Sequence, residues 1–499
     1  MKHSKHGASL TPLVWALLAC LAATGAPAAV EISADPTQNM SCSGGVCSPT
    51  ASDAVLNAGD LTAMLASGAV TVTTTGSGVE ANDIRVSAPF SWASASALTL
   101  AAHLSIVFDA PVGVHGLAPV SLATGPAPAL FFFHGASLSF ANSSDVLTIN
   151  AKRYRLEPNL TKLARAVTAH PAGAYALAQD IDARHDRVYP TSPIAVPFAG
   201  SFTGLGHVVL GISIADMASA NVGLFARVRP EGMLANIGTQ RAVVAGTQSV
   251  GGLVGLNEGT VSNAFTDGIA RGEGENVGSF NLVGGLVGYN GGTVIDCQSD
   301  VRASGGYATG GLVGENSGTV ESSFATGPST AISYAGGLVG WNSGNPVTIH
   351  GTIIDSYATG NARGQAAKPA AVGGLVGFNP GFSGILSTIA TSYSTGTARS
   401  AVDGSLLGGF IGRQTGAATS AYWDTTTSAH SQAVGSGDST GITGLTTAEL
   451  QSGLLAGFDP AVWAESPSVN GGYRYLIANP PIAKRRRPGT ARSGASGPR

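Results

Sequence analysis

The stretch TGGLVGENSGTVESSFATG, residues 309–327, contains the repeated unit that decides the fold. Its pentapeptide Gly-Gly-Leu-Val-Gly occurs five times, and an altered further copy reads Gly-Gly-Phe-Ile-Gly. The copies begin at Gly251, Gly284, Gly310, Gly336, Gly373 and Gly408, with spacings of 33, 26, 26, 37 and 35 residues. An amide residue stands two positions after each copy, at Asn257, Asn290, Asn316, Asn342, Asn379 and Gln414. Several positions kept together at this period indicate a repeat architecture.

A second strip shares this period and has the composition of β-strands. Its copies are TVSNAFTDG (260–268), TVIDCQSDV (293–301), TVESSFATG (319–327), TIIDSYATG (352–360) and TIATSYSTG (388–396). Each repeat therefore predicts about two short strands separated by a turn. One repeat cannot bury its Leu and Val alone, but coils stacked ~4.8 Å apart bury them against their copies. We expect a solenoid of parallel strands, with Gly supplying left-handed or close-approach backbone at the corners and stacked Asn amides hydrogen-bonded along the axis.

Two positions of the repeat are expected to face inward. The central apolar residue of each pentapeptide should join one buried column, formed by Leu253, Leu286, Leu312, Leu338, Leu375 and Phe410. Cys297 is the fifth residue of its strip, where the other copies have Ala264, Ser323, Ser356 and Ser392. This position needs a small side chain, so Cys297 is interpreted as a buried structural residue rather than a reactive thiol.

The residue that follows each pentapeptide varies and is therefore expected to face outward. It is, in order, Leu256, Tyr289, Glu315, Trp341, Phe378 and Arg413. The apolar and aromatic members of this series, Leu256, Tyr289, Trp341 and Phe378, predict an exposed stripe that binds a ligand. The alternative is that loops or neighbouring side chains cover the stripe.

The N-terminus predicts export. Lys2 and Lys5 precede an apolar run at 13–23, and small residues at 26–29 suit signal peptidase, so residues 1–29 are interpreted as a signal peptide. The alternative is a lipoprotein signal that anchors the mature chain through Cys20. No later apolar run approaches the roughly 18 residues needed to span a bilayer.

Cysteine usage and charge narrow the class of protein further. Cys42 and Cys47 lie close together in CSGGVC and are expected to form a disulfide in an oxidising compartment. The net charge is −3, which gives no reason to expect a nucleic-acid partner. The sequence has neither a phosphate-loop motif nor His-Glu-x-x-His, and we expect neither cofactor nor metal.

The repeats resemble the GLUG motif, named for its Gly-Leu-any-Gly core, over roughly residues 222–425. The segments 55–78 and 83–112 resemble the filamentous haemagglutinin family, whose members are passengers of two-partner secretion. The resemblance implies a right-handed parallel β-helix and an outer-membrane transporter as an export partner. The family's usual Asn-Pro-Asn-Gly-Ile type motif does not occur here.

The expected organisation is a signal peptide (1–29), a haemagglutinin-like β-helix (30–150), a lead-in with a short helix (151–221), the GLUG repeats (222–425), a terminal unit with a short helix (426–482) and a basic disordered tail (483–499).

Two short helices interrupt the β pattern. Helical spacing begins at Leu160 and should end before Pro171. A capping box, Thr446 to Glu449, predicts a second helix that includes LQSGLL.

The sequence thus predicts a secreted or cell-surface, adhesin-like protein that binds a glycan or a surface protein without catalysis. The alternative is a β-helical polysaccharide lyase or hydrolase, for which Asp180, Asp182, His185 and Asp186 are the best candidate residues. A second alternative is a structural component of the surface or matrix with no discrete ligand.

Overall fold

The computed structural model of the chain describes residues 29–125, 130–133, 135–273, 280–343, 350–366, 368–382 and 385–481. The predicted signal peptide, Cys20 and the basic tail therefore lie almost entirely outside the described residues. The described chain is a stack of short, mostly parallel strands with three short α-helices. The prediction of an all-β parallel β-helix is confirmed.

The N-terminal part has three strands in each coil. Sheets I and II form two of its sides, and the third side belongs to sheet III, which continues into the repeats. Sheet I consists of Ala29–Ser33, Val55–Asn57, Asp83–Val86, Ile106–Phe108 and Leu130–Phe132. Sheet II consists of Phe90–Trp92, Val112–Val114 and Leu138–Phe140. Sheet III consists of Met40–Ser43, Val46–Pro49, Val70–Thr73, Leu98–Ala101, Val120–Ala123, Leu147–Ile149, Lys152–Glu157, Ala174–Leu177, Ser201–Thr203, Met233–Ala235, Thr260–Ser262, Thr293–Ile295, Thr319–Glu321, Thr352–Ile354, Thr388–Ala390 and Ala417–Thr419.

A helix that the sequence analysis missed begins in this N-terminal part. Helix α1 (Ala58–Ser67) is capped by Asn57, whose side chain accepts hydrogen bonds from the backbone of Gly59 and Asp60. The helix buries Leu61 and Leu65 in the core of sheets I to III. It lies within residues 55–78, which were assigned only by their resemblance to the filamentous haemagglutinin family.

Cys42 and Cys47 are joined by a disulfide across the hairpin that opens sheet III. The first strand of this hairpin is largely exposed, whereas Cys47 is fully buried against the N-terminal core. The hairpin pairs through its second strand with Val70–Thr73.

The N-terminal part joins the repeats through an antiparallel turn and a helix. Leu147–Ile149 pairs antiparallel with Lys152–Glu157, after which the strands of sheet III run parallel again. Helix α2 (Leu160–Ala169) follows, buries Leu163 and Val167, and ends at His170. The prediction of a helix that ends before Pro171 is confirmed.

The repeats contribute four or five strands to each coil, because the side that belongs to sheet VI is divided into two short strands in several coils, so the prediction of about two was wrong. Sheet IV consists of Asn221–Val222, Ser249–Gly251, Leu282–Gly284, Ala308–Gly310, Tyr334–Gly336, Ala371–Gly373 and Leu406–Gly408. Sheet V consists of Phe225–Val228, Val254–Asn257, Val287–Asn290, Val313–Asn316, Val339–Trp341, Val376–Asn379, Ile411–Gln414 and Val434–Gly437. Sheet VI consists of Ile181–Asp182, Val208–Leu210, Ser213–Asp216, Gly238–Gly246, Phe265–Gly272, Gln298–Ser304, Phe324–Ala325, Ser329–Ala331, Tyr357–Ala358, Ala362–Gly364, Tyr393–Ser394, Ala398–Arg399, Ala421–Asp424 and Ile442–Leu445. The chain turns inside each Gly-Gly-Leu-Val-Gly unit, so one pentapeptide ends a strand of sheet IV and begins a strand of sheet V.

Three antiparallel hairpins lie outside these sheets. They pair Thr75–Gly76 with Val79–Glu80, Gly381–Phe382 with Ile385–Leu386, and Trp463–Ala464 with Tyr475–Leu476.

The predicted buried column is present. All of its members, Leu253, Leu286, Leu312, Leu338, Leu375 and Phe410, are 0% exposed. Backbone hydrogen bonds join each member to the next, as from Leu286 to Leu312 and from Leu312 to Leu338, both at 2.9 Å. The stack therefore buries the side chains that a single repeat would leave in water.

The amide ladder is present too. Each Asn side chain donates from Nδ2 to the Oδ1 of the Asn in the next coil, at 2.7 to 2.8 Å, from Asn257 through Asn379. The final rung is Gln414, whose Oε1 accepts from Asn379 at 2.8 Å. These side chains are 0 to 2% exposed, so the ladder satisfies polar groups that are shut off from water.

The glycines act by close approach rather than by left-handed conformation. A Cβ on Gly310 would lie 2.0 Å from the carbonyl oxygen of Val313, and one on Gly285 would lie 2.1 Å from that of Gly311. The left-handed corner falls instead just after the strands of sheet III, at Asn263, Asp296, Ser322, Asp355 and Thr391, where φ is 43° to 54°. Of the two roles expected for Gly at the corners, close approach is therefore confirmed, and the left-handed conformation belongs to other residues. Asn and Asp tolerate this region better than most other residues do.

Cys297 occupies the small, inward-facing position that its register predicted. It is 0% exposed and forms no disulfide. The serines at the same position of the neighbouring coils are also fully buried. Its Sγ lies 3.2 Å from the carbonyl oxygen of Ile295. Burial raises the pKa of the Cys297 thiol well above its usual range, which keeps the sulfur in its unreactive form.

The last described segment folds back along the outside of sheet VI. Its helix α3 (Thr447–Leu450) has the predicted capping box at Thr446 but ends at Leu450, earlier than expected. Trp463 and Leu476 then pack on a column of aromatic rings, Phe324, Tyr357, Tyr393 and Tyr422. At its far end, Asn479 donates to the carbonyl oxygens of Cys297 and Ser322. This C-terminal strap therefore covers one aromatic face of the solenoid.

Candidate binding surface

The residues that follow the pentapeptides form one column on sheet V. Strand pairing places Leu256 beside Tyr289, then Glu315, Trp341, Phe378 and Arg413 in successive coils. Within each strand the Asn that follows the column residue is buried, because neighbouring side chains of a strand point to opposite faces. The column members are half-buried, apart from the exposed Arg413. The stripe therefore faces outward as expected, but its apolar and aromatic members are half-buried rather than exposed, and its binding of a ligand stays a prediction.

The two central aromatic residues of the column pack against each other. The rings of Trp341 and Phe378 lie nearly parallel, with an interplanar angle of 8° and centroids 6.4 Å apart. Tyr334 on sheet IV contacts both rings, at 5.9 Å from Trp341 and 5.2 Å from Phe378. The guanidinium carbon of Arg413 lies 5.0 Å from the centre of the Phe378 ring, within the range of a cation–π contact.

Sheet IV extends this cluster in the direction of the N-terminus. Tyr307 lies edge-on to Trp341 at 5.5 Å and to Tyr334 at 5.3 Å. Phe280, which is 71% exposed, packs against Tyr307 at 4.8 Å. We call Phe280, Tyr307, Tyr334, Trp341 and Phe378 the aromatic surface.

Three members of this surface, which lie in sheet IV or just before its strands, were not predicted. A signal was present, because an aromatic residue stands two to four positions before the Gly-Gly pair in three successive copies. The shift of position between copies concealed it. The other two predicted stripe residues, Leu256 and Tyr289, lie in the same column but beyond Glu315, and the ring contacts found among the described residues do not include them.

Glu315 supplies a carboxyl group next to the rings. Its Oε1 accepts a hydrogen bond of 2.5 Å from the hydroxyl of Ser343, which in turn lies 3.0 Å from the hydroxyl of Ser317. Burial raises the pKa of the Glu315 carboxyl, although the Ser343 hydrogen bond opposes this effect. Burial also raises the pKa of Tyr307 to about 12, with further contributions from Tyr334 and Glu315.

The candidate catalytic carboxylates are held by different partners. Asp180 lies 2.9 Å from Nδ1 of the buried His207, and the other ring nitrogen lies 3.1 Å from the carbonyl oxygen of Leu138. Asp182 forms a surface ion pair with Arg184 at 2.6 Å.

Asp186 accepts a 2.6 Å hydrogen bond from the hydroxyl of Tyr189. Each of the three carboxylates is thus engaged by a different partner. The Asp180–His207 pair joins the N-terminal strands to the repeats, since Leu138 belongs to sheet II.

Neither a metal cluster nor a membrane-spanning helix is found in the part of the chain that the structure describes. There, no group of three His, Cys, Asp or Glu side chains could hold a metal ion. No helix is long and apolar enough to cross a bilayer.

Comparison with known proteins identifies the repeat. Residues 331–362 match the family model described as the GLUG motif, so the chain carries this motif as predicted. Halomucin of Haloquadratum walsbyi (strain DSM 16790 / HBSQ001) is 37% identical over 75 residues, which are 15% of this chain and 1% of halomucin. The chain therefore spans only a very small part of that relative's length.

Among solved structures, a proposed immunoglobulin A1 protease from Bacteroides ovatus is similar with a TM-score of 0.42. The two chains are 19% identical, and the match covers 66% of this chain and 93% of that one. Membership of the filamentous haemagglutinin family stays a prediction from the sequence.

Proposed function

We propose that this chain is an exported surface protein that binds its ligand through the aromatic surface and acts by contact rather than by catalysis. The observation that carries the proposal is the continuous ring cluster from Phe280 to Phe378, built on two adjacent sheets of the repeats. It gives a ligand several aromatic contacts at once. The ligand class, in this proposal, is a glycan or a protein of a host or bacterial surface.

Rigidity favours binding at such a surface. Tyr334, Trp341 and Phe378 stand on strands that are paired with the coils before and after them, and these three rings hold one another in place. Aromatic side chains lose little conformational freedom when they bind, and these rings are already ordered. The contacts of the surface therefore contribute to affinity at a small entropic cost.

Export is supported by features at the other end of the chain. Residues 1–29 have the three parts of a signal peptide, and the Cys42–Cys47 hairpin suits an oxidising compartment. Passage through a dedicated outer-membrane transporter is part of this proposal and rests on the family resemblance alone.

The proposal is tested by binding of the purified mature chain to bacterial and host cell surfaces. Replacing Trp341 and Tyr334 by Ala should weaken binding, because it removes two rings from the centre of the cluster. Phe131→Ala is the matched control, since Phe131 belongs to an outward-facing ring pair in the N-terminal part, 5.8 Å from Phe133. Circular dichroism must show that every variant keeps its strand content.

A second set of variants tests the enzyme alternative. Asp180→Asn and Asp182→Asn should leave binding nearly intact, because neither side chain belongs to the aromatic surface. Release of reducing or unsaturated ends from a polysaccharide panel, abolished by Asp182→Asn, would replace the proposal with a lyase or hydrolase. Equal binding by wild type and the Trp341/Tyr334 variant would leave the structural role as the better account.

A further inference from the structure

We propose that the ligand of the aromatic surface is an uncharged glycan chain lying along the solenoid axis, with Glu315 accepting hydrogen bonds from its hydroxyl groups. This inference rests on the proposed function, and it specifies both the chemistry of the ligand and its direction. Three features carry it: the order of the rings along the axis, the placement of the carboxyl group, and the position of Arg413, which forms the only cation–π contact found among the described residues.

The rings follow the axis over successive coils. Strand pairing in sheet IV relates Leu282 to Ala308 and Ala308 to Tyr334, so Phe280 and Tyr307 lie at the entries of the two coils before that of Tyr334. Phe378 lies in the next coil of sheet V. The surface therefore extends over three coil-to-coil spacings of ~4.8 Å, or ~14 Å in all, along the solenoid axis. Its shape is long and narrow. A linear chain of sugar rings has a matching shape.

Parallel rings suit the faces of sugar rings. Trp341 and Phe378 differ in orientation by only 8°, so both can present a similarly tilted face to one extended ligand. The C–H groups on one face of a pyranose pack against an aromatic face, while its hydroxyls point outward around the ring. Tyr307 and Tyr334 each add a hydroxyl to the same surface.

Glu315 interrupts the ring column at a place where a sugar hydroxyl would meet it. It lies between Tyr289 and Trp341 in sheet V. The Ser343 hydrogen bond holds its carboxyl group in place. A carboxylate accepts strong hydrogen bonds from hydroxyl donors, which a glycan brings at every ring.

The same carboxyl group disfavours other ligands. Covering it with an apolar protein side chain would remove its hydration without replacing the hydrogen bonds, which costs free energy. An acidic glycan would place like charges together at the centre of the surface. Arg413 lies at one end and is already positioned over Phe378, so it does not offset a ligand charge near Glu315.

The test is calorimetric titration of the full mature chain with neutral and acidic hexasaccharides. Cellohexaose, maltohexaose and chitohexaose are the neutral probes, and a hyaluronan hexasaccharide is the acidic one. We expect saturable binding of at least one neutral probe. Trp341→Ala should weaken it about tenfold, as should Glu315→Gln, which replaces the carboxylate by a weaker acceptor.

Matched variants show whether the effects are local. Phe131→Ala and Glu231→Gln, an exposed carboxylate in the turn before Met233–Ala235, should leave the affinity unchanged. Trp341→Ala and Glu315→Gln must also retain the wild-type melting temperature within a few degrees.

The outcomes separate this inference from the proposed function. If cell binding depends on Trp341 but no neutral hexasaccharide binds, the glycan inference is wrong and the proposed function stands. The same holds if a neutral hexasaccharide binds with an affinity that Glu315→Gln does not change. Preferential binding of the hyaluronan probe also overturns the inference. A concentration-dependent dimer that Trp341→Ala dissociates would show that the surface contacts a second copy of the chain, and both proposals would then fail.

Discussion

Removing one rung of the amide ladder should destabilise the solenoid more than its size suggests. Asn316 accepts from Asn290 and donates to Asn342, both at 2.8 Å, and is 0% exposed. Asn316→Ala removes both amide–amide hydrogen bonds, each contributing about 1 kcal/mol net, and leaves the buried Asn342 Oδ1 without its donor, at about 1 to 3 kcal/mol. The expected loss of unfolding free energy is about 3 to 5 kcal/mol.

The last rung provides the matched control. Gln414 accepts one hydrogen bond from Asn379, and Asn379 Nδ2 retains contacts of 3.3 Å with two carbonyl oxygens when Gln414 is removed. Gln414→Ala should therefore lower the free energy of unfolding by only about 1 kcal/mol. Urea titration followed by circular dichroism gives both free energies, provided that the denaturant slope is the same in all three proteins. If Asn316→Ala is no more destabilising than Gln414→Ala, the ladder does not stabilise the fold as argued.

The remaining predictions concern the core, a pH dependence and the thiols. Leu312→Asp should lower the free energy of unfolding, measured by urea titration, by roughly 3 kcal/mol or more, because it places an unpaired charge in a column that is 0% exposed. A smaller loss of this free energy would contradict the stacked core. The hydrogen bond with His207 lowers the pKa of Asp180 below its ordinary value of 3.8. The ionised carboxylate therefore contributes its full stabilisation above pH 3.8, and this contribution is lost as the pH falls through the lower pKa of the folded state. Asp180→Ala should lower the melting temperature at pH 7 but not in strong acid, and an equal loss at both pH values would refute this. Thiol labelling should find Cys297 unreactive in the folded chain and labelled after denaturation; labelling of the native protein would contradict its burial.

The repeat made much of the fold predictable. Stacked copies lie in register, so residues that align in sequence, such as Leu286, Leu312 and Leu338, also align in space. The same logic correctly predicted the amide rungs and the small site of Cys297. It failed on the number of strands, since the turn at the second glycine and the following residue of each pentapeptide is set by close contact with the next coil, which no single repeat reveals.

The candidate binding surface was only half predictable. Trp341 and Phe378 were found because they share one position of the repeat, whereas Phe280, Tyr307 and Tyr334 reach the same surface from slightly shifted positions on another sheet. Only the turn from sheet IV to sheet V brings the two sets together.

The sequence by itself determined the period, the inward and outward positions, and hence a parallel solenoid with its buried Leu column. These follow from local pattern, because a short repeat can bury its apolar residues only against its own copies. The tertiary structure alone decided which segments without a repeat cover which faces. Phe324, Tyr357 and Tyr393 occupy a regular position and could have formed a second exposed aromatic face, but the C-terminal strap folds back and buries them under Trp463. That choice depends on long-range packing between residues 70 to 139 positions apart, for which local sequence carries no signal.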